Sequence, residues 1–252
     1  MPMRTCLSES KILFITLLFL VGCVQGTPQH SLVQEKYGFD DSYFTQGLTA
    51  FNNTTIIQSN GLYGESAIRL LDIESGHVHN EYMFSPTVFA EGNTYINNTI
   101  ILITWKEQTA YYFNTSLDVQ RTTPYKGEGW GLTHNNSHLI MSNGSSYVQL
   151  RNPQTFTLQK NIYVTENNTP VTNLNELAYR DGYVYANVWK TDDIVKINLS
   201  TGNVQDRYTF PQNELLTSEQ QKHADVLNGV MNKNNTIYIT GKKYPYIYKT
   251  NI

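Results

Sequence analysis

Glu91, in "FAEGNTY", and Lys242, in "ITGKKYPY", are a carboxylate and an ammonium set among apolar and aromatic residues. A carboxyl enclosed by aromatic rings loses hydration, which raises its pKa, while a nearby ammonium lowers it. A carboxyl poised in that way can do general acid–base work. The three tryptophans, Trp105, Trp130 and Trp189, recur along the chain with Gln46 and Asn175. Aromatic walls with a few convergent polar groups describe a small-ligand pocket. Plainer readings stand beside this one: Glu91 as turn punctuation, and the tryptophans as fillers of gaps between sheets. Glu128, in "GEGWG", and Glu176, in "NELAY", are rival carboxylates. They read better as a turn residue and as a residue at the head of a strand, hydrogen-bonded to backbone.

Other chemistries find little support. The six histidines form only two close pairs, His77/His79 and His134/His138, and neither has a third ligand beside it, so no metal is expected. "GESAI" lacks the last glycine of a nucleophile elbow and lies in no α/β unit. "GEGWG" has spaced glycines, but no helix follows to receive a phosphate.

What must position the candidate groups is a repeat. "NTTIIQS", "NTIILIT", "SHLIMSN", "GYVYANV" and "NTIYITG" are short β-rich runs beside Asn, Asp or Gly turns. Each belongs to a longer unit, and the five units start at Gln46, Glu91, Trp130, Asn175 and Asn228, in steps of 45, 39, 45 and 53 residues. Five units of this length, each of several short strands, predict an all-β, five-bladed β-propeller. A β-sandwich has no need to repeat in blocks. "SAIRLLDIESGHVHNEYMF" and "DDIVKINLSTGNVQDRYTF" read as copies of one outer hairpin. The last unit lacks its outer strand, and "HSLVQEKYGF" is expected to supply it and close the ring.

In a propeller the first strand of each blade lines the channel, and its starting residues meet at one mouth. The five starts therefore share a first slot, in front of Gly47, Gly92, Gly131 and Gly229 in four blades. Counting on thirteen or fourteen residues gives a second slot at Asn60, Trp105, Asn143, Trp189 and Lys242. All three tryptophans, Glu91 and Lys242 fall in these slots.

The chain has 252 residues, a net charge of −3 with both signs scattered, and eighteen tyrosines. That composition suits an all-β chain and gives no indication of nucleic-acid binding. Arg4 and Lys11 precede the apolar run Ile12–Val21, too short to span a bilayer but suited to an export signal. "LVGC", ending at Cys23, has the form of a lipoprotein lipobox; the alternative is an ordinary cleaved signal. Residues 1–23 are thus expected to be an export signal and 24–252 a single propeller domain. The expected location is periplasmic or membrane-anchored through Cys23, with secretion as the alternative. Cys6 lies inside the signal, so the mature chain has no cysteine pair for a disulfide. The Asn-X-Ser/Thr sites, among them Asn97 and Asn234, read first as hairpin turns and second as glycan acceptors.

These stretches also carry a family resemblance. "YFTQGL", "NGLYGES", "SGHV", "AEG", "ITWK", "GEGWGLT", "NPQTF", "LNELAY", "YANVWKTDDIVKI", "VLNGV" and "TGK" run in order across nearly the whole mature chain. Together they make it resemble the plant-type (papaya-like) glutaminyl cyclases, a five-bladed propeller family also found in bacteria. The resemblance implies cyclisation of an N-terminal Gln, and slowly Glu, to pyroglutamate with loss of ammonia. It implies site residues at Phe44, Gln46, Phe89, Glu91, Trp105, Trp130, Asn175, Trp189 and Lys242, with Glu91, Lys242 and Asn175 in the chemistry and the others binding substrate. The implied partners are peptides with N-terminal Gln, with no cofactor, and a monomer is expected. Gln58, Asn143, Ala178 and Tyr244 depart from the family's usual residues. The rival reading is a non-catalytic propeller that binds peptides or small ligands at the channel mouth.

Overall fold

The structure is a computed structural model that describes Met1 and residues 32–252. The expected export signal and Cys23 lie outside the described residues.

The first strand, β1 (Val33–Gly38), precedes the first complete sheet. Blade 1 comprises β2 (Thr45–Ala50), β3 (Thr55–Asn60), β4 (Ala67–Asp72) and β5 (Val78–Met83). Blade 2 comprises β6 (Ala90–Ile96), β7 (Thr99–Thr104), β8 (Thr109–Phe113) and β9 (Val119–Pro124). Blade 3 comprises β10 (Leu132–His134), β11 (Leu139–Met141), β12 (Tyr147–Arg151) and β13 (Leu158–Tyr163). A two-stranded hairpin, β14 (Thr165–Glu166) and β15 (Thr169–Pro170), then leads to blade 4: β16 (Leu174–Arg180), β17 (Tyr183–Val188), β18 (Asp193–Asn198) and β19 (Val204–Thr209). Two helical turns, α1 (Gln212–Leu215) and α2 (Ser218–Gln221), precede blade 5: β20 (Leu227–Lys233), β21 (Thr236–Gly241) and β22 (Tyr246–Thr250).

Each blade is an antiparallel sheet with its strands in chain order, except the last. There β1 adds to β22 as the outer strand, with Lys36 opposite Tyr248 and Gly38 opposite Tyr246, so the ring closes as the sequence predicts. A five-bladed propeller results.

Position within a blade explains the hydrophobic pattern. The second strands β3, β7 and β17 are buried along nearly their whole length on both faces; β7 reads as a nearly unbroken apolar run, whereas β3 buries Gln58, Ser59 and Asn60 as well. The outer strands β5 and β19 touch a neighbour on one face only and alternate. The interior forms one cluster at each blade junction: Ile57 with Ile100, Ile101 with Leu139, Val148 with Val184, Tyr185 with Ile239, and Met231 with Leu48. Every such side chain contributes about 1.5–3 kcal/mol of apolar burial.

Turns follow local chemistry. Asn97-Asn98, Asn167-Asn168 and Asn234-Asn235 all have positive φ, as the tight β-turns between paired strands require. The outer hairpins of blades 1 and 4 are copies, as the repeat predicts. Asp72 Oδ1 accepts from Ser75 N (2.8 Å) and Asn198 Oδ1 from Thr201 N (3.3 Å), while Gly76 N donates to Asp72 O (2.9 Å) and Gly202 N to Asn198 O (2.8 Å). The 53-residue step into blade 5 contains the two helical turns, which have no counterpart in the other blades. A capping box at Thr217 and Gln220 starts the second of them.

Candidate active site

The inner strands β2, β6, β10, β16 and β20 start together at one mouth of the channel. A cavity of about 250 Å³ opens there, lined by Phe44, Gln46, Leu62, Phe89, Glu91, Trp105, Trp130, Asn175, Trp189 and Lys242. All nine residues singled out from the sequence therefore surround one space, and all five blades contribute to it. Leu62 is the addition. It follows the end of β3 in the tight "NGLYGES" turn, with φ of 79°, where Leu62 O accepts from Ser66 Oγ at 2.9 Å. No repeat position marks it in the sequence, because this turn does not recur.

Strand register shows how the side chains reach the mouth. In blade 2, β6 runs from Glu91 into the channel, turns at Asn97-Asn98, and β7 returns to Trp105. Trp105 N donates to Phe89 O at 3.0 Å, which holds the two backbones together beside Glu91. Blades 4 and 5 repeat the closure: Trp189 N donates to Asn173 O (2.8 Å) and Lys242 N to Val226 O (3.0 Å). Blades 1 and 3 differ from the count. Leu48 pairs with Gln58 and Leu132 with Met141, where blade 2 pairs Asn93 with Leu102. The second slot in these blades is therefore Gly61 and Gly144, one residue beyond Asn60 and Asn143. Both glycines make room for a ring: an added Cβ would lie 2.6 Å from Phe89 Cε1 at Gly61 and 2.6 Å from Trp130 Cη2 at Gly144. Asn60 instead is buried and braces the wall, accepting from Phe44 N at 2.5 Å.

Glu91 is 5% exposed. Burial holds its carboxyl well above the usual range, Glu107 and Glu128 push the same way, and Lys242 opposes. Gln46 Nε2 donates to Glu91 Oε1 at 3.3 Å, and Asn228 Nδ2 donates to Gln46 Oε1 at 3.1 Å. Asn228, the first-slot residue of blade 5, thus orients Gln46 rather than lining the cavity. Lys242 is 6% exposed, with Nζ 4.5 Å from the centre of the Phe44 ring. Burial lowers its pKa, while Glu91 and Asp225 hold it up. The carboxamide of Asn175 also lines the cavity; Oδ1 is buried, with no partner among the described residues.

The aromatic wall contains two runs of packed rings. Tyr63 packs edge-on against Phe89 (5.3 Å between centroids), Phe89 against Trp105 (5.4 Å), and Trp130 against Trp189 (5.3 Å). Among the rival carboxylates, Glu176 is fully buried in the position where the other four blades have glycine, and Glu176 Oε1 accepts from Leu48 N at 3.0 Å. This is the backbone-bonded role expected of it. Glu128 does more than punctuate a turn. Glu128 Oε2 accepts the indole N–H of Trp105 at 2.9 Å and that of Trp130 at 3.0 Å.

The four departures lie off the cavity. Gln58 is buried and accepts from Arg69 Nη1 at 3.2 Å. Asn143 accepts from Ser145 Oγ at 2.6 Å. Ala178 packs between blades 4 and 5, and Tyr244 OH accepts from Gln212 Nε2 of the helical insert at 3.3 Å. A second cavity, of about 300 Å³, opens at the opposite mouth around Thr49, Thr94, His134 and Asn232, and none of the nine residues borders it.

A five-bladed propeller with an acid, an ammonium and an aromatic cage at one mouth defines a class, and comparison with known proteins gives it a family. The chain belongs to the glutamine cyclotransferase family, whose model matches residues 23–252. It is 30% identical over 223 residues to a glutaminyl-peptide cyclotransferase of Arabidopsis thaliana, covering 86% of this chain and 69% of that one. It is also similar to the crystal structure of Myxococcus xanthus glutaminyl cyclase, with 28% identity and a TM-score of 0.78, covering 87% of this chain and 94% of that one.

Proposed function

We propose that the chain is a glutaminyl-peptide cyclotransferase whose reaction takes place in the cavity of Glu91 and Lys242. The observation that carries this is the pairing of a buried carboxyl of raised pKa with a buried ammonium around a space walled by aromatic rings. The N-terminal Gln of a peptide enters with its side chain curled, so that the α-amine faces its own carboxamide carbon. Holding that geometry replaces a search through many conformations. The α-nitrogen bonds to the carboxamide carbon, and Glu91 takes the proton released by that nitrogen. Glu91 returns it to the carboxamide nitrogen, the carbon–nitrogen bond breaks, and ammonia leaves a five-membered lactam.

Negative charge gathers on the carboxamide oxygen between these steps. Lys242 and Asn175 are the donors near it, in a site where burial strengthens their effect. Gln46, oriented by Asn228, fixes the Glu91 carboxyl. Phe44, Phe89, Trp105, Trp130 and Trp189 exclude water and accept the flat lactam.

Incubating the protein with a Gln-initiated peptide and measuring its mass tests this reading; loss of one ammonia is expected. The same peptide with Gln at its second position should keep its mass. E91Q should lose about 100- to 10,000-fold in turnover while still binding the peptide. Undiminished turnover in E91Q would refute the shuttle, and unchanged peptide mass with wild-type protein would favour a binding propeller. Export and lipid attachment through Cys23 belong to the same proposal. Incorporation of a labelled fatty acid into wild type but not C23A tests the anchor.

A further inference from the structure

We propose that Glu128 is the positioning residue of the aromatic wall: one of its carboxylate oxygens holds the two indoles that flank the reacting groups at a fixed mutual angle. Trp105 reaches the mouth from blade 2 and Trp130 from blade 3. Between the two ring pairs Phe89–Trp105 and Trp130–Trp189, the link is Glu128 Oε2, 2.9 Å from Trp105 Nε1 and 3.0 Å from Trp130 Nε1. An indole N–H bonded to a carboxylate makes a strong, directional contact. Two such bonds to one atom fix the rotation of both rings. Because one bond comes from each blade, the carboxylate also ties together the two sides of the junction. Glu107 serves the far end of the wall in a similar way, accepting from Tyr63 OH at 2.9 Å and from Phe89 N at 3.3 Å.

The position of Glu128 has an electrostatic consequence as well. The charged and titratable groups around Glu91 are Lys242, which opposes its raised pKa, and Glu107 and Glu128, which reinforce it. Glu176, Tyr63 and Tyr125 are near enough to feel the Glu91 charge. A neutral side chain at 128 therefore lets Glu91 ionise more readily.

This inference rests on reading the cavity as the cyclisation site, but one of its tests does not. The chain has three tryptophans, and all three line the cavity, so near-UV tryptophan ellipticity and emission report on this wall alone. E128A should weaken the near-UV tryptophan signal and raise KM for a Gln-initiated peptide by about tenfold or more. E128Q keeps an acceptor oxygen but no charge. It should restore the spectrum and most of the KM, while the low-pH limb of kcat moves to lower pH. A spectrum and KM unchanged in E128A would overturn the proposal, as would E128Q failing as badly as E128A. If E128A does not fold, E128Q decides: a wild-type spectrum with a shifted limb supports the role, and an altered spectrum or an unmoved limb overturns it. If wild-type protein released no ammonia, the spectral comparison would still judge the wall.

Discussion

Glu91 and Lys242 are both buried and both line the cavity, and Gln46 lies within hydrogen-bond distance of the carboxylate. Burial shifts both toward their neutral forms, the acid upward and the ammonium downward. A group tuned in this way has a folding cost of known sign. An unfolded Glu ionises near about pH 4.3, whereas Glu91 keeps its proton to higher pH in the folded state. Between those two values the unfolded chain binds fewer protons, so the contribution of Glu91 to stability falls as pH rises. E91Q removes that term. Its Tm relative to wild type should therefore rise from pH 5 to pH 8, by about 3 °C or more. A difference between the two proteins that stays flat or falls with pH would show that Glu91 ionises as an ordinary surface carboxylate does. The comparison across pH also separates this effect from any constant penalty of leaving Lys242 without its opposite charge.

At the scale of the element, the paired strands of a blade deliver two residues to the mouth, and what stands in the second slot decides what a neighbour can do. Gly144 is at positive φ (78°), and its missing side chain leaves room for the Trp130 ring. G144A should lower kcat/KM by about 10- to 100-fold through a displaced indole. Gly182 has a similar φ of 87°, but nothing lies within 4 Å of an added Cβ. G182A should therefore show the backbone strain, about 1 kcal/mol of lost stability, without the kinetic defect. Equal kinetic effects in the two variants would rule out the ring clash.

Gly61 and Gly144 also show where the sequence was legible and where it was not. Repeats place residues by counting, and counting succeeded in blades 2, 4 and 5, where the intervals match. In blades 1 and 3 it stopped one residue short, on Asn60 and Asn143: blade 3 keeps the fourteen-residue interval of the others, which reaches Gly144, while blade 1 needs its pairing register to give Gly61. Glu128 was visible as a carboxylate between glycines, yet nothing in a linear pattern shows that two indoles from different blades converge on one oxygen. Leu62 lay in a turn without a repeat partner. The blades themselves were readable because each β-rich run sits between Asn, Asp or Gly turns, while the helical turns before blade 5 are too short to show a helical period.

For the molecule as a whole, the ring depends on a strand taken from the other end of the chain. β1 covers β22, Glu35 pairs with Lys249 at 3.1 Å, and Tyr37 packs 6.2 Å from Tyr238 between ring centres. Deleting the chain through Gly38 should lower unfolding free energy by at least about 3 kcal/mol, seen as a lower urea midpoint. Blade 5 amides should become the fastest to exchange, and the bare edge of β22 should promote self-association. Unaltered exchange in β21 and β22 would mean that the blade stands without its outer strand. Activity should suffer too, since Lys242 comes from this blade.

Asn251 N donates to Leu32 O at 3.1 Å, so the two ends of the described propeller lie side by side. The order in which the blades are written along the polypeptide is therefore separable from the order in which they stand around the axis. A short linker from 252 to 32 would make the propeller chain circular, and the circle could then be opened at an exposed outer turn such as Ser75-Gly76. Such a circular permutant would keep all five inner strands, and with them every wall of the cavity, while ring closure passed to a different blade.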